Sequence, residues 1–346
     1  MQSERIIPLH QNESYWLLTD EMFEKYNTLS ARDAATYPEY DALRDAFSRV
    51  MGVPSQEITL TAGSDAAIES IIMMCAAKGL RPLMPLPTFA AYELLCKKHA
   101  LEYTPVYYAE ENGAFIFPLD ETIALIQEGS IDIIFLCQPN NPLGARIPHG
   151  NYIKLLDVAR DASVTVVVDE AYAEFAPEND ASYAADREMI LLRTLSKSFG
   201  LAGLRIGCAI ANPKMTTELS SRLLPWPIAH TSACIAANAL ADADAFALRR
   251  TLLIAQRDLF VRDLAARVGA TVYESHANFV LIRIPHAAHI QAELAKEGIL
   301  VALGESKSLE ERARGILSST LRLSVPSPED HETVLSALER ACSTRQ

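Results

Sequence analysis

The feature that most constrains the fold is an alternation of short apolar runs with helical segments, beginning near residue 58. "ITLT" reads as a strand and "GSDAAIESIIMMCAAKG" as the helix after it. "RPLMPLP" and "TFAAYELLCKKH" repeat the unit, followed by "LEYTPVYY" as a strand. "IDIIFLC", the helical "HGNYIKLLDVARDA" and "VTVVVDE" continue it, and "MILLRT" and "RIGCAIA" supply two further strands. Strands that are apolar almost throughout, rather than alternately, need cover on both faces. The pattern therefore predicts an α/β fold with a mostly parallel central sheet flanked by helices. In such sheets ligands bind beyond the carboxyl ends of the strands.

Past about residue 230 the texture changes. An Ala-rich stretch, Thr231 to Ala266, reads as helix without intervening strands, and the tail offers "NFVLIRI", "GILVAL" and "LRLSV" as strands. Ser327 reads as the cap of a last helix, with Pro328 at its first position and Asp330 in its first turn. The expected organisation is an N-terminal arm (1–30), a large domain (31–245) and a smaller α+β domain (246–346). A chain of 346 residues, 49% of them hydrophobic, has enough apolar material for such cores.

The net charge of −13 argues against nucleic acid or an anionic membrane as the main partner. The six cysteines form no CxxC pair, which suits a reducing, cytoplasmic setting better than a disulfide scaffold. The eight histidines show no ligand spacing; His286 and His289 read as a surface helix face, and no metal is expected. The start lacks a basic end followed by an apolar core, and no apolar run is long enough for a membrane span.

The strand ends carry the polar residues. "AGSD" opens a helix at Ser64 and Asp65, and "QPNNPLG" sets Asn141 before a proline. "VTVVV" is followed by Asp169, Glu170 and Tyr172, and "MILLR" by Thr194, Ser196 and Lys197. Each has an ordinary local explanation: a helix cap, a turn, a strand-end carboxylate, a lysine reaching water. Their conjunction suggests more. A helix N-terminus with Thr194, Ser196 and Arg205 suits a phosphate. A carboxylate can hold a proton on a ring nitrogen, Asn141 and Tyr172 can donate to a phenolate oxygen, and the Lys197 amine can form a Schiff base with an aldehyde. Together these features describe pyridoxal 5′-phosphate (PLP), and an imine removes the cost of burying a lysine charge.

The chain also resembles the class I/II PLP-dependent aminotransferases of fold type I, most closely the histidinol-phosphate aminotransferase branch. The resemblance rests on "TLSKSFGLAG", which matches the cofactor-attachment pattern. "TYPEYDALRDAF", "TAGSD", "PLPTFAAY", "QPNNPLG", "VVVDEAYAEF" and "LRLSV" follow the family's order over nearly the whole chain. It implies Lys197 as the Schiff-base lysine, Asp169 as the partner of the ring nitrogen, and Tyr172 and Asn141 at the phenolic oxygen. It places Ser64, Asp65, Thr194, Ser196 and Arg205 in a phosphate cup, and Phe89 at the ring-stacking position where tyrosine is usual. Tyr37 matches a tyrosine that reaches the neighbouring subunit's cofactor, which implies a homodimer. Arg322 matches the clamp for the substrate's acidic group.

The substrate half departs from the pattern. Ala302 stands near the place where this branch usually carries a further arginine. Lys307, Arg312 or Arg314 in the long charged segment 304–319 are candidates to replace that charge, although a solvated loop is the reading preferred. Tyr15 and Trp16 are candidates to line the substrate entrance or to anchor the arm. The expected activity is transfer of an amino group from a histidinol-phosphate-type or aromatic donor to a 2-oxo acid such as 2-oxoglutarate. The alternatives are another PLP reaction on the same scaffold (decarboxylation, β/γ-elimination or cyclisation) or a non-catalytic binding module.

Overall fold

A computed structural model describes residues 5–176 and 189–343. The alternating region forms a seven-stranded sheet in the order Ile58–Thr61, Gly207–Ile210, Met189–Thr194, Thr165–Asp169, Ile133–Cys137, Pro82–Leu86, Thr104–Tyr107. Strands Met189–Thr194 through Thr104–Tyr107 pair in parallel. Gly207–Ile210 runs antiparallel to both of its neighbours. Strands such as Ile133–Cys137 and Met189–Thr194 are buried along their whole length, which is why their sequences are apolar without alternation. Two packed cores cover the sheet. One includes Leu83, Ile134, Val166 and Leu191; the other, with the helix Gly63–Lys78, includes Ile68, Phe135, Val167 and Ile190. Successive strand residues thus point to opposite faces.

A four-stranded antiparallel sheet follows in the order Thr271–Val272, Phe279–Arg283, Thr320–Ser324, Ala302–Leu303. Its own core includes Phe260, Val280, Leu323 and Leu338. The N-terminal residues Ile7–Pro8 pair in parallel with Ile299–Leu300, and the Leu9 carbonyl accepts from the Ser324 N–H at 2.9 Å. The start of the chain is thereby stitched to its C-terminal sheet.

Three local expectations are corrected. The Ala-rich stretch is two helices, His230–Ala241 and Ala243–Arg267, parted at Asp242. The Asp242 carboxylate accepts from Lys25 Nζ at 2.6 Å and Tyr26 Oη at 2.8 Å, which fixes the break to the first helix of the chain. The last helix runs from His331 to Ser343. Ser327 Oγ still accepts from the Asp330 N–H, but residues 328–330 form a turn that leads into the helix. The segment 304–319 is folded rather than a solvated loop, with a 3-10 turn at Gly304–Lys307 and a helix at Glu311–Ile316. Buried Glu93 organises it by accepting from Ser308 Oγ and from the N–H groups of Leu309 and Glu310. All six cysteines are free, and no described helix is long and apolar enough to cross a membrane.

Candidate active site

The strands Ile133–Cys137, Thr165–Asp169 and Met189–Thr194 end on a cavity of about 630 Å3. At its floor lies Asp169, buried at the last position of its strand. Its Oδ1 accepts from the Ala171 N–H at 3.1 Å and its Oδ2 from Tyr92 Oη at 3.2 Å. Among the described residues it has no ion-pair partner, and burial pushes its carboxyl up to about 6.

Lys197 also lines the cavity. Its Nζ donates to the Gln11 carbonyl at 2.9 Å and makes no ion pair among the described residues. Loss of solvent pushes its pKa down to about 8, with the positive charge of Arg322 acting in the same direction. The amine is therefore more readily neutral than an ordinary lysine, as a nucleophile requires.

Another part of the cavity wall suits an anion. The helix Gly63–Lys78 begins after Ala62, whose side chain offers no cap, so its first N–H groups remain for another acceptor. Ser64 stands in its first turn, close to the end of the neighbouring strand. There Thr194 Oγ1 donates to Ser196 Oγ at 2.9 Å, and Arg205 Nη1 reaches the same oxygen at 3.4 Å. Asp65 pairs with Arg205 Nη2 at 3.1 Å, so its carboxylate orients the guanidinium rather than meeting an anion itself. Two glycines permit this approach. A Cβ on Gly63 would collide with the Arg205 guanidinium, and one on Gly207 would lie 2.6 Å from Gly63 C and 2.7 Å from Ser64 N.

Phe89 contributes an aromatic ring to the wall. Tyr172 and Asn141, both buried, meet across the site, with Asn141 Nδ2 donating to Tyr172 Oη at 3.3 Å. Asn141 Oδ1 accepts from Arg322 Nη1 at 2.5 Å, and Arg322 Nη2 donates to the His10 carbonyl at 2.8 Å. Arg322 is buried on the strand Thr320–Ser324, and Nε has no partner among the described residues. Desolvation lowers its pKa to about 10, so it remains a cation at neutral pH.

Eleven of the sequence candidates thus line one cavity: Ser64, Asp65, Phe89, Asn141, Asp169, Tyr172, Thr194, Ser196, Lys197, Arg205 and Arg322. Three do not. Tyr15 donates to Asp330 at 2.7 Å and Trp16 to the Val325 carbonyl at 3.4 Å, so both anchor the arm. Tyr37 is 74% exposed and stacks on Trp226 with ring centres 4.4 Å apart. Of the three cations considered for the charged segment, Lys307 lines the cavity, whereas Arg312 lies over the Tyr107 ring at 4.1 Å and Arg314 faces solvent. Ala302 is the strand partner of Arg322, and its methyl leaves that edge without a charge. Tyr92, Thr88, Cys137 and the arm residues from His10 to Glu13 were not evident from the sequence, because no local pattern distinguishes them.

A buried carboxylate with no cation and an amine with no anion among the described residues, and an uncapped helix end beside hydroxyls and Arg205, complement a ring cation, an aldehyde and a phosphate. The residues fit PLP.

Comparison with known proteins points the same way. The profile of the family Aminotransferase class I and II matches residues 4–340. The chain is similar to histidinol-phosphate aminotransferase from Ruminiclostridium cellulolyticum, 30% identical over 344 residues and covering 97% of this chain and 92% of that one. It is 33% identical over 306 residues to histidinol-phosphate aminotransferase 1 from Burkholderia lata, covering 88% and 82%. The crystal structure of the histidinol-phosphate aminotransferase from Clostridium acetobutylicum shares the fold, with a TM-score of 0.86 at 22% identity and coverage of 97% and 99%. The chain is an enzyme of the aminotransferase class I and II family, whose cofactor is PLP.

Proposed function

We propose that this enzyme moves an amino group from a donor bearing an acidic group to a 2-oxo acid such as 2-oxoglutarate, with Lys197 as the covalent attachment point. The observation that carries the reading is the pair of oppositely charged groups in one cavity, Lys197 and Asp169, neither with an ion-pair partner among the described residues. When bound, PLP supplies an aldehyde for attachment and an electron-withdrawing ring that eases loss of the substrate's Cα proton. Asp169 would hold a proton on the ring nitrogen, because a buried carboxylate favours a cation beside it. Tyr172 would donate to the ring's phenolic oxygen, and Phe89 would cover the ring face. Ser64, Thr194, Ser196 and Arg205 would hold the phosphate. Displaced by the incoming amine, Lys197 would take the proton from the substrate's Cα at Nζ.

Arg322 and Lys307 would hold the donor's acidic group. Lys307 is half-buried and lines the same cavity, and its pKa falls to about 8 through desolvation and the nearby Arg322 charge. A bound anion relieves both effects. These cations support an acidic donor of the histidinol-phosphate or amino-acid type. A homodimer is part of the reading: Tyr37, Leu224 and Trp226 are large apolar side chains left exposed, as a subunit contact requires.

A screen of amino donors tests the function. Histidinol phosphate and aromatic amino acids should convert the cofactor to its amine form, and 2-oxoglutarate should restore it. Release of carbon dioxide or ammonia without a 2-oxo acid would refute transamination and favour another PLP reaction. Light scattering on the purified holoenzyme should give twice the 38.0 kDa chain mass.

A further inference from the structure

The arm residue Asn12 stands against Tyr172, together with Asn141. Asn12 Nδ2 donates to Tyr172 Oη at 2.9 Å, while Asn141 Nδ2 donates to the same oxygen at 3.3 Å. Asn141's side-chain amide and the Asn12 backbone are both held in place. Asn141 is oriented by Arg322, whose Nη1 occupies its Oδ1. Asn12 is 1% exposed and adopts φ +54°, a left-handed conformation that asparagine tolerates better than most residues. Its backbone carbonyl accepts from Asn278 Nδ2 at 2.9 Å, which ties the arm to the residue before the strand Phe279–Arg283.

A phenol oxygen accepts hydrogen bonds and has one proton to donate. We propose that Asn12 is a positioning residue whose amide, with that of Asn141, donates to Tyr172 Oη and so leaves the tyrosine's own proton for the cofactor's phenolic oxygen. The inference rests on the reading that Tyr172 faces that oxygen. Burial holds the phenol well above its usual pKa, so the proton is available to donate at working pH. The arm, remote in sequence from the attachment lysine, thereby takes part in tuning the cofactor.

The test uses holoenzyme variants, read by the pH midpoint of the cofactor's visible band and by the dissociation constant for PLP. A hydrogen bond to the phenolic oxygen stabilises its anionic form, and losing it makes that oxygen a stronger base. Tyr172→Phe should therefore raise the midpoint and weaken PLP binding. Asn12→Ala frees an acceptor position and lets the hydroxyl rotate, so it should move both readings the same way, with affinity falling on the order of tenfold. Asn12→Asp keeps the shape but accepts where asparagine donates, capturing the proton, and should act at least as strongly. Because Asn12 acts through Tyr172, Asn12→Ala should add nothing in the Tyr172→Phe background. Near-UV circular dichroism of each apoenzyme should match the parent.

The inference is overturned if Tyr172→Phe moves both readings while the Asn12 variants move neither. It is equally overturned if Asn12→Ala contributes its full effect in the absence of the hydroxyl, or if its effect tracks a change in apoenzyme dichroism. If Tyr172→Phe itself moves neither reading, the placement of Tyr172 at the ring oxygen fails as well.

Discussion

Replacement of Asp169 by asparagine separates what this residue costs the empty protein from what it contributes once the cofactor is bound. Burial raises the carboxyl from its usual value near 3.8 to about 6. The folded chain therefore holds the ionised form less well than the unfolded chain does. The penalty is absent below about 3.8, grows as pH rises and is complete above about 6. Its full size is roughly 3 kcal/mol, with about half of that remaining at pH 5. Asparagine is neutral and keeps an acceptor for the Ala171 N–H. Asp169→Asn apoenzyme should consequently be more stable than the parent at pH 7.5, by up to about 3 kcal/mol, and should lose half of that gain at pH 5. With cofactor the order reverses in function: without the anion at the ring nitrogen, kcat should fall on the order of a hundredfold or more. Urea denaturation of apo and holo forms at both pH values, with half-reaction kinetics, provides the comparison. An apoenzyme variant no more stable than the parent at pH 7.5, or a gain independent of pH, would refute the assignment of Asp169 as a buried, uncompensated carboxylate.

Other outcomes follow from the same geometry. Lys307→Gln should raise KM for acidic donors on the order of tenfold while leaving kcat within a few-fold, measured by steady-state kinetics. The rate at which apoenzyme takes up PLP should climb with pH and level off above about 8, as Lys197 loses its proton. Arg322→Ala should shift that midpoint upward, because the Arg322 charge helps to depress it. Gly207→Ala drives a methyl into the Gly63 and Ser64 backbone. It should cost about 1–3 kcal/mol of stability and weaken PLP binding, as read by melting and cofactor titration.

The central sheet was legible because strands buried on both faces must be apolar throughout, and the site was legible because chemistry collects where such strands end. The direction of Gly207–Ile210 was not: its apolar run would suit either orientation, and the register with Ile58–Thr61 is a long-range pairing. The break at Asp242 leaves no mark in the sequence because alanine supports helix on both sides of it, while the cause lies in Lys25 and Tyr26. Lys307 reads as a surface residue in a charged segment until Glu93, more than two hundred residues earlier, folds that segment over the cavity. Tyr92 and Asn12 belong to the same class. Their partners, Asp169 and Tyr172, are distant in the chain, and neither spacing nor composition marks them.

The central claim, that the Lys197 amine carries the cofactor, is tested most directly by reducing the holoenzyme with borohydride, digesting it and locating the modified peptide by mass spectrometry. The account predicts that the visible band bleaches, that the pyridoxyl group is found on Lys197, and that Lys197→Ala yields no adduct. An adduct on a different lysine of the unaltered enzyme, or none at all from cofactor-saturated protein, would contradict it.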